Sequence, residues 1–588
     1  MSPARSGIRR HTHPLVRALL AAASVALGIA SPHASAFCGF YAGKADASLF
    51  NEASQVVLVR DGERTVLSML NDYSGPLSEF ALVVPTPTVL QQGQVRVAEK
   101  ATFERLDAYS SPRLAEYHDL DPCRMNFWWG QNMYPRAVPA PMAAAAGAMR
   151  SEMAKSRDAA LGVTVEAAYT LEEYDIVSLS AKQSDGLEIW LRENGYKIPK
   201  GASAALKPYI NMGMKFFVAK VNLKEQKRLG YSMLRPLQFA FESEKFMLPM
   251  RLGMLNAPPN KPQDLIVYVL TKNGRVESSN YRTVKLAANE NLPPFVKPKF
   301  KEFYKALYDT STAREDYKVV FTEYFWDMSW CDPCAANPLS TEELRKAGVF
   351  WVGGDEAGNF QQMQIAPGGQ KPAQGAVAPS SPPRILPGRP IPPGGGAQPV
   401  MLTRLHVRYT SNTFPEDLMF TQTKDKQNFQ TRYVIQNPYA GSVAACTATT
   451  AKSDCETMCK SRVTDVERMV GEAKKNNWGS PGDYAGKSSD ALQTDCLKAC
   501  SESKRSAIEA ATRYYERELP ERLAREKQTL AKLTGWSLAE IDRMGADSGN
   551  VTPVPVKGGD VQPVPPADNR TWWQKLFGAT PVPRASRG

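Results

Sequence analysis

The sequence predicts an α+β fold, in which a mainly antiparallel β domain with a few helices is followed by a disulfide-stapled α-helical hairpin module. Three observations lead to this prediction. Short β-branched or aromatic runs of strand length recur through the first half of the 588-residue chain. The pairs Asp61-Gly62 and Asn273-Gly274 each separate two apolar runs, an arrangement typical of antiparallel hairpins. From about residue 450 the chain becomes charged and alanine-rich, with cysteines at helical spacing.

The composition divides the chain into segments. Two stretches rich in proline and glycine, 366–400 and 551–568, cannot sustain a helix or a strand ladder. We therefore predict a signal peptide over 1–36, the first part of an α+β domain over 37–365, a linker or loop insertion over 366–400, return strands of the same domain over 401–440, a separate helical cysteine module over 441–545, and a Pro-rich spacer with an aromatic tail over 546–588.

The first 36 residues have the three parts of a secretory signal peptide. Four arginines and no acidic residue precede or border the apolar run ALLAAASVALGIA (18–30), and the small residues Ala34 and Ala36 frame a cleavage site. The run is too short for a permanent membrane anchor. We therefore expect cleavage near Ala36 and a periplasmic or secreted protein. All nine cysteines follow this site, which suits a compartment where disulfides persist.

The segment before the linker is expected to contain strands and a few helices. The runs FALVVP, YDIVSLSA, KFFVAKV and LQFAF have the length and composition of strands. In DGLEIWLRENGYKIP, one helical face carries Leu187, Trp190 and Leu191, and Gly195 is expected to end the helix. KFKEFYKALYD (299–309) has the pattern of another helix. Strands interleaved with a few helices favour an α+β domain with mostly antiparallel pairing.

The segment after the linker is expected to return to the first sheet. LTRLHVRYT alternates apolar Leu405 and Val407 with polar Arg404 and His406, which predicts a half-buried strand with a solvated histidine. NFQTRYVIQ is expected to pair with this strand. The mature chain has one other histidine, His118, for which a hydrogen bond within a loop is expected.

Charge and hydropathy exclude two classes of protein. The four arginines of the signal peptide account for part of the formal net charge of +12, and the remaining excess is spread out without a dense basic stripe. We therefore expect no nucleic acid partner. No later run approaches the ~20 apolar residues of a membrane span. The expected partner is an unidentified envelope protein or an anionic surface component.

The strongest cysteine signal is a pair of helical spacings. Cys455 and Cys459 are four residues apart, as are Cys496 and Cys500, so that each helix presents two sulfurs on one face. An antiparallel hairpin would join Cys455 to Cys500 and Cys459 to Cys496. A four-thiolate metal site is the alternative, although metal-binding pairs usually have tighter spacing.

The other cysteines leave several pairings open. Four of them belong to the first domain: Cys38, Cys123, Cys331 and Cys334. If Cys331 and Cys334 close locally, Cys38–Cys123 is the residual pair, and Cys446 has no obvious partner.

Cys331-Asp332-Pro333-Cys334 resembles the motif of a thiol–disulfide oxidoreductase, with Cys331 as nucleophile and Cys334 as resolving thiol. Two features favour a structural disulfide instead. The charge of Asp332 would raise the thiol pKa, and a capping box from Ser340 to Glu343 predicts that the next helix begins near Thr341, well after the motif.

Two further groups of side chains have a structural and a functional interpretation. The methionines Met212, Met214, Met247, Met250 and Met254 could hold Cu(I), but packing in a core is the simpler explanation and no cofactor is expected. The tail RTWWQKLF (570–577) could lie in a bilayer interface, or dock on its own domain. Its candidate contact residues are Trp572, Trp573, Leu576 and Phe577.

Several blocks together resemble an exported bacterial family with no assigned activity, domain of unknown function 2330. They are FCGFYAGKADASLFNEASQVVLVRDGERTVLSMLNDYSG, EFALVVPTPTVL, TEYFWDMSWCDPC and FPEDLMFTQTKDKQNFQTRYVIQNPY, within residues 37–440. The resemblance implies an extracytoplasmic bacterial protein and supplies no catalytic residues. We therefore expect a non-catalytic binding or scaffolding protein stabilised by disulfides, with thiol–disulfide exchange as the alternative function.

Overall fold

The computed structural model describes the chain from residue 40 to residue 547 with gaps. The described residues are 40–43, 50–74, 80–125, 127, 129, 163–181, 184–193, 201–229, 234–256, 262–329, 337–353, 399–476, 484 and 486–547.

The described strands are numbered in chain order. They are β1 Phe40–Gly43, β2 Phe50–Asp61, β3 Arg64–Ser74, β4 Phe80–Thr86, β5 Val95–Val97, β6 Arg113–His118, β7 Val163–Leu171, β8 Tyr174–Ala181, β9 Lys215–Val221, β10 Leu237–Glu242, β11 Met247–Leu248, β12 Gln263–Thr271, β13 Val276–Ser278, β14 Arg282–Lys285, β15 Glu290–Leu292, β16 Val319–Asp327, β17 Met401–Tyr409, β18 Leu418–Gln422, β19 Phe429–Gln430 and β20 Arg432–Asn437.

The described helices are numbered in the same way. The α-helices are α1 Lys100–Ser110, α2 Ser184–Glu193, α3 Ala202–Asn211, α4 Leu223–Arg228, α5 Phe300–Arg314, α6 Thr341–Ala347, α7 Val443–Lys452, α8 Cys455–Asn476, α9 Ser489–Arg513, α10 Leu519–Thr534 and α11 Leu538–Asp547. Short 3₁₀ helices cover Gln92–Gln94, Arg251–Asn256 and Pro294–Lys299, and a π-helical turn covers Tyr514–Glu518.

Most neighbouring strands are antiparallel, as the sequence predicts. Among the described residues, nine strands form the central sheet, in the order β14-β16-β17-β12-β2-β3-β10-β5, with β19 also paired to β16. A five-stranded sheet has the order β1-β4-β9-β8-β7. Two three-stranded sheets, β11-β18-β13 and β15-β20-β6, complete the fold, and the second of them is parallel. The α+β class is therefore confirmed.

The two large sheets pack face to face between layers of helices. Along β2, Val56 and Leu58 point into the core between the sheets, where they meet Phe217 of β9. Val57 and Val59 point to the opposite face, which α1 and α6 cover. Helices α2 and α3 cover the outer face of the five-stranded sheet. Strands of the central sheet are thus buried on both faces, which explains their nearly continuous apolar runs.

One of the two predicted hairpins forms and the other does not. Strands β2 and β3 pair antiparallel around the turn at Gly62, whose φ is +59°. After Gly274, in contrast, β13 pairs with β18 and leaves β12. Gly274 has φ of +91°, and a Cβ there would lie 2.1 Å from the carbonyl oxygen of Thr423. The glycine therefore permits close packing against a third chain segment, and does not mark a hairpin turn.

The chain after residue 400 contributes a strand to the central sheet. Strand β17 lies between β12 and β16 and is antiparallel to both. The prediction that NFQTRYVIQ pairs with β17 is wrong: β19 pairs with β16, and β20 pairs with β15 and β6. Position in the sheet depends on these long-range pairings, which an alternating pattern does not encode.

The helices after β20 contact the β-rich part. Leu530 and Leu533 of α10 and Ile541 of α11 share a core with α5 and with Tyr433 of β20. Thr310 of α5 donates a hydrogen bond to the carbonyl of Thr534 at 2.8 Å. Helices α8 and α9 form a hairpin beyond this contact.

Candidate functional site: a cross-linked helical hairpin and a buried charge cluster

A cluster of charged side chains lies buried between the central sheet and its helices. Arg404 of β17 is at its centre and is fully buried. Its Nε donates to Glu323 of β16 at 2.7 Å, and its Nη1 donates to Asp107 of α1 at 2.7 Å. Both carboxylates are also fully buried. Asp107 additionally accepts a hydrogen bond from the hydroxyl of Tyr268 at 3.0 Å.

A β-bulge directs Glu323 into this cluster. The register between β16 and β17 shifts between Thr322 and Tyr324, so Glu323 is an extra residue in the strand. Its backbone carbonyl accepts hydrogen bonds from both the backbone and the hydroxyl of Thr431, at 2.9 and 2.6 Å. The bulge lets Glu323 and Tyr324 both reach the helical side of the sheet.

His406 is part of the same cluster. Its Nδ1 is 2.6 Å from a Glu323 oxygen, and its ring stacks on Tyr308 with the ring centres 3.8 Å apart. Its Nε2 is 4.0 Å from Asp264. The side chain is 3% exposed, so the predicted solvation of His406 is wrong. The polar face of β17 is covered by α1 and α5 and does not face water.

The charges in the cluster offset one another. Burial tends to raise the pKa of Glu323, but electrostatic interactions with His406 and Arg404 and hydrogen bonds from His406 and Tyr304 lower it to about 2. Arg408 is held by Asp264 through two hydrogen bonds of 2.7 Å. A buried, mutually paired cluster of this kind holds α1, α5 and three strands in one arrangement, and we interpret it as structural.

The disulfide-stapled hairpin is confirmed. Cys455 is bonded to Cys500 and Cys459 to Cys496, with Cα–Cα distances of 5.9 and 5.7 Å. The sulfurs form the hairpin core together with Val463, Val466 and Leu492. Helices α8 and α9 bury few large side chains, so the two bonds replace part of an ordinary apolar core.

A third disulfide joins the hairpin region to the β-rich part. Cys123 is bonded to Cys446 of α7, with a Cα–Cα distance of 5.5 Å across 323 residues of sequence. The conditional pairing of Cys38 with Cys123 is therefore wrong, and Cys446 has a partner. Sequence spacing contains no signal for this bond, because only the fold brings the two cysteines together.

Residues near Cys123 reinforce this connection. Phe127 and Trp129 pack against the hairpin core. Trp129 contacts Tyr484 edge to face, with ring centres 5.2 Å apart, and its carbonyl accepts a hydrogen bond from Arg462 of α8 at 3.0 Å. The chain that follows β6 is therefore bonded covalently to α7 and packs its aromatic side chains against the hairpin core.

Asp119 is the polar centre of the junction between β6 and the helices. Arg522 of α10 donates to both of its oxygens, at 2.9 and 2.8 Å, and Gln436 donates at 2.8 Å. Tyr514 donates to it from the π-helical turn. Burial opposes ionisation here, but these hydrogen bonds lower the pKa of Asp119. His118, one residue earlier, ends β6 and is exposed.

Glu526 lies next to this junction, but its pKa is shifted in the opposite direction from that of Asp119. It is 3% exposed, and its carboxylate oxygens accept no hydrogen bond from the described residues. Arg522 Nε is 3.5 Å from one of them. Burial raises the pKa of Glu526 to about 7, despite the attraction of Arg522. The sequence gives no hint of this group, because its helix is charged on most sides.

Several predicted site residues lie outside the described residues: Cys38, Cys331, Cys334, Trp572, Trp573, Leu576 and Phe577. The surroundings of the Cys331–Cys334 motif are described. Strand β16 ends at Asp327, and α6 begins at Thr341, where Ser340 and Glu343 form the predicted capping box. The helix start near Thr341 is therefore confirmed, seven residues beyond Cys334.

Four of the five methionines singled out in the sequence lie in the cores of the two large sheets, whereas Met212 is 37% exposed. Met214 is buried and Met247 partly buried in the cluster outside the five-stranded sheet. Met250 is buried and Met254 partly buried in the core between the sheets. Core packing explains these positions.

Comparison with known proteins identifies the family. A family model described as "Uncharacterized protein conserved in bacteria (DUF2330)" matches residues 32–421, and the chain belongs to this family. No curated protein and no solved structure matches significantly. The matched span ends within β18, so the cross-linked helices lie beyond it. No helix among the described residues is both long and apolar enough to cross a membrane.

Proposed function

We propose that this member of the family is an exported bacterial envelope protein that works by binding or scaffolding, and not by catalysis. The observation that carries the proposal is the set of three disulfides that brace the helical hairpin and fix it to the β-rich part. Disulfides persist in extracytoplasmic compartments, and they agree with the signal-peptide pattern of the first 36 residues.

The hairpin has the properties of a rigid contact element. Its inner face is cross-linked, whereas its outer faces carry exposed charged and polar side chains such as Thr464, Lys498 and Glu502. Because two disulfides join its helices, little conformational entropy is lost when a partner binds. We assign the partner to an envelope protein or an anionic surface component.

Photo-cross-linking in intact bacterial cells tests this proposal. A photoreactive phenylalanine analogue replaces Thr464 or Lys498 on the hairpin, and exposed Lys207 of α3 in a control variant. We expect discrete adducts from the hairpin positions, competed away by excess purified protein, and none from position 207. Equal labelling at all three positions, or no adduct at any of them, contradicts the assignment of the hairpin as the contact element.

The alternative function is thiol–disulfide exchange by Cys331 and Cys334. The strand that precedes the motif favours this function. However, the next described helix begins at Thr341, so its N-terminus is not at Cys331 or Cys334, where it would lower the pKa of a thiol. An insulin-reduction assay decides between the two functions. We expect no turnover by the purified mature chain, and no difference between the intact chain and Cys331→Ser. Turnover that Cys331→Ser abolishes would establish the alternative.

A further inference from the structure

The outer edge of β6 is open among the described residues. Strand β6 is the last strand of the sheet β15-β20-β6 and pairs with β20 on one side. The backbone N–H of Arg113 and that of Asp119 donate to β20 and its neighbour Thr431. In a parallel strand the backbone groups of successive residues point alternately to the two sides. Those of Leu114, Glu116 and His118 therefore point away from β20. Such an edge can accept another extended segment.

Exposed apolar side chains continue this edge. Tyr117 is 47% exposed, Leu120 is 84% exposed and Tyr439 is 39% exposed. The register pairs His118 with Asn437, so Leu120 and Tyr439 each follow two residues beyond the same pair. The backbone N–H of Tyr439 donates to the hydroxyl of Tyr514, which itself donates to Asp119. We call β6 together with Tyr117, Leu120 and Tyr439 the edge patch.

The described chain ends close to this patch. Helix α11 ends at Asp547. Near its end, the carbonyl of Met544 accepts a hydrogen bond from Lys299 at 3.4 Å. In the same short helix as Lys299, Lys297 forms an ion pair with Glu116 of β6 at 2.6 Å. Through the short helix that carries Lys297 and Lys299, the last described helix is therefore connected to Glu116 of β6.

The segment that follows can return to the edge patch. The tail motif RTWWQKLF begins at Arg570, after a spacer rich in proline. Some twenty residues separate Asp547 from Arg570, and a chain of that length spans at most about 70 Å. Residues 572–577 have the six-residue length of β6 and carry four large apolar side chains. Arg570 and Lys575 also complement the exposed carboxylate of Asp121.

We propose that residues 570–577 bind the edge patch of their own chain, adding a strand to the outer edge of β6 and placing their aromatic rings on Tyr117, Leu120 and Tyr439. Tethering gives such a segment an effective concentration in the millimolar range, so even a weak contact is mostly formed. The tail would then protect the open edge from pairing with other chains.

A peptide-competition experiment tests this proposal. A fluorescent synthetic peptide with the sequence of residues 569–578 is titrated against the full mature chain and against a full chain carrying Trp572→Ser and Trp573→Ser. We expect the peptide to bind the serine variant at least about fivefold more tightly, because the native tail competes for the patch. Equal affinity for the two chains contradicts the proposal.

A second pair of variants locates the binding surface. Leu120→Asp, introduced into the serine variant, should abolish peptide binding, whereas Ile189→Asp on α2 should not change it. Both positions are strongly exposed, at 84% and 53%, so both substitutions are compatible with folding. The assignment to the edge patch is overturned if both variants still bind the peptide, or if both fail to bind it.

Cross-linking from the patch identifies the occupant independently of affinity. A photoreactive phenylalanine analogue at position 120 of the intact chain should yield a monomeric product joined to residues 570–577. A dimeric product would identify a second copy as the occupant. If the product joins position 120 to another segment, or if vesicles with about one quarter phosphatidylglycerol capture the tail while position 120 stays unlabelled, the proposal also fails.

Discussion

Arg404 and Glu323 sit at the centre of the molecule with no access to water. Arg404 donates a hydrogen bond to Glu323, which also accepts one from the hydroxyl of Tyr304. The bulge at Glu323 directs its carboxylate towards these partners. A single neutral substitution would leave the remaining charges unmatched in a medium of low polarity. Such a loss is far more costly than the loss of an exposed ion pair.

Glu323→Gln should therefore destabilise the protein strongly. Glutamine has nearly the same size, but it cannot offset the charge of Arg404, so we expect a loss of about 3–5 kcal/mol in the free energy of unfolding. Urea denaturation monitored by tryptophan fluorescence measures this change. The matched control is Glu188→Gln, whose partner Arg192 is exposed, and for which less than about 1 kcal/mol is expected. Similar losses in the two variants would contradict a structural role for the cluster.

The lowered pKa of Glu323 predicts that the fold loses stability at acidic pH. The pKa of Glu323 is lowered from 4.5 to about 2 in the folded protein. Its contribution to stability is therefore fully present above pH 4.5 and is lost as the pH falls from 4.5 towards 2. Denaturation midpoints between pH 2 and pH 6 should show this loss, and they should depend less on pH in Glu323→Gln. An identical pH dependence in both proteins would show that Glu323 is not responsible.

Glu526 should have the opposite pH dependence. Its pKa is raised from 4.5 to about 7 in the folded protein, so the folded state binds the proton more tightly than the unfolded state. The stability it supports is fully present below pH 4.5 and is lost as the pH rises through 7. Glu526→Gln should therefore stabilise the protein at pH 8, by roughly 1–3 kcal/mol, and change little at pH 4. Thermal denaturation at both pH values measures the difference, and destabilisation at pH 8 would contradict it.

At the scale of elements, the hairpin α8–α9 depends on sulfur more than on apolar packing. The inner row of each helix is occupied by cysteine, and the remaining core positions are few. The hairpin could be predicted from sequence because both helices repeat the same four-residue spacing. The strands of the first domain were recognisable for a similar reason, since local composition determines strand tendency.

Cys459→Ala with Cys496→Ala should loosen the hairpin alone. The bond closes a loop of 37 residues of separation, and its removal should cost ~3–4 kcal/mol in the chain-entropy model. Hydrogen exchange measured by mass spectrometry should accelerate in α8 and α9 and remain slow in β12 and β17. A strong reductant added to the intact protein also breaks the other two disulfides, so only the double variant isolates the effect of this bond. Uniform acceleration throughout the chain would mean that the hairpin and the sheets unfold as one unit.

Elements joined by long-range contacts were harder to predict. The pattern of β17 is that of a half-buried strand, but α1 and α5 cover its second face, and so Arg404 and His406 are internal. The partner of β20 and the path after Gly274 likewise depend on segments more than a hundred residues away. No local pattern determines which surfaces meet, whereas turn and cap signals such as Gly62 and Ser340 act locally and were reliable.

At the scale of the whole molecule, the two large sheets pack between two layers of helices, and one disulfide joins helix α7 to this part of the chain. The bond between Cys123 and Cys446 could not be predicted from spacing. It joins the segment after β6 to α7, and Asp119 and Arg522 form an ion pair at the same junction. This combination supports the central claim that the described cysteines brace a protein that functions by contact.

The most direct test of that claim is a disulfide map of the mature protein isolated from bacterial envelopes, obtained by mass spectrometry of non-reduced peptides before and after incubation with glutathione. We predict that Cys123 is completely linked to Cys446, Cys455 to Cys500 and Cys459 to Cys496, and that glutathione leaves these bonds unchanged. Free or exchanging thiols at these six positions would contradict it.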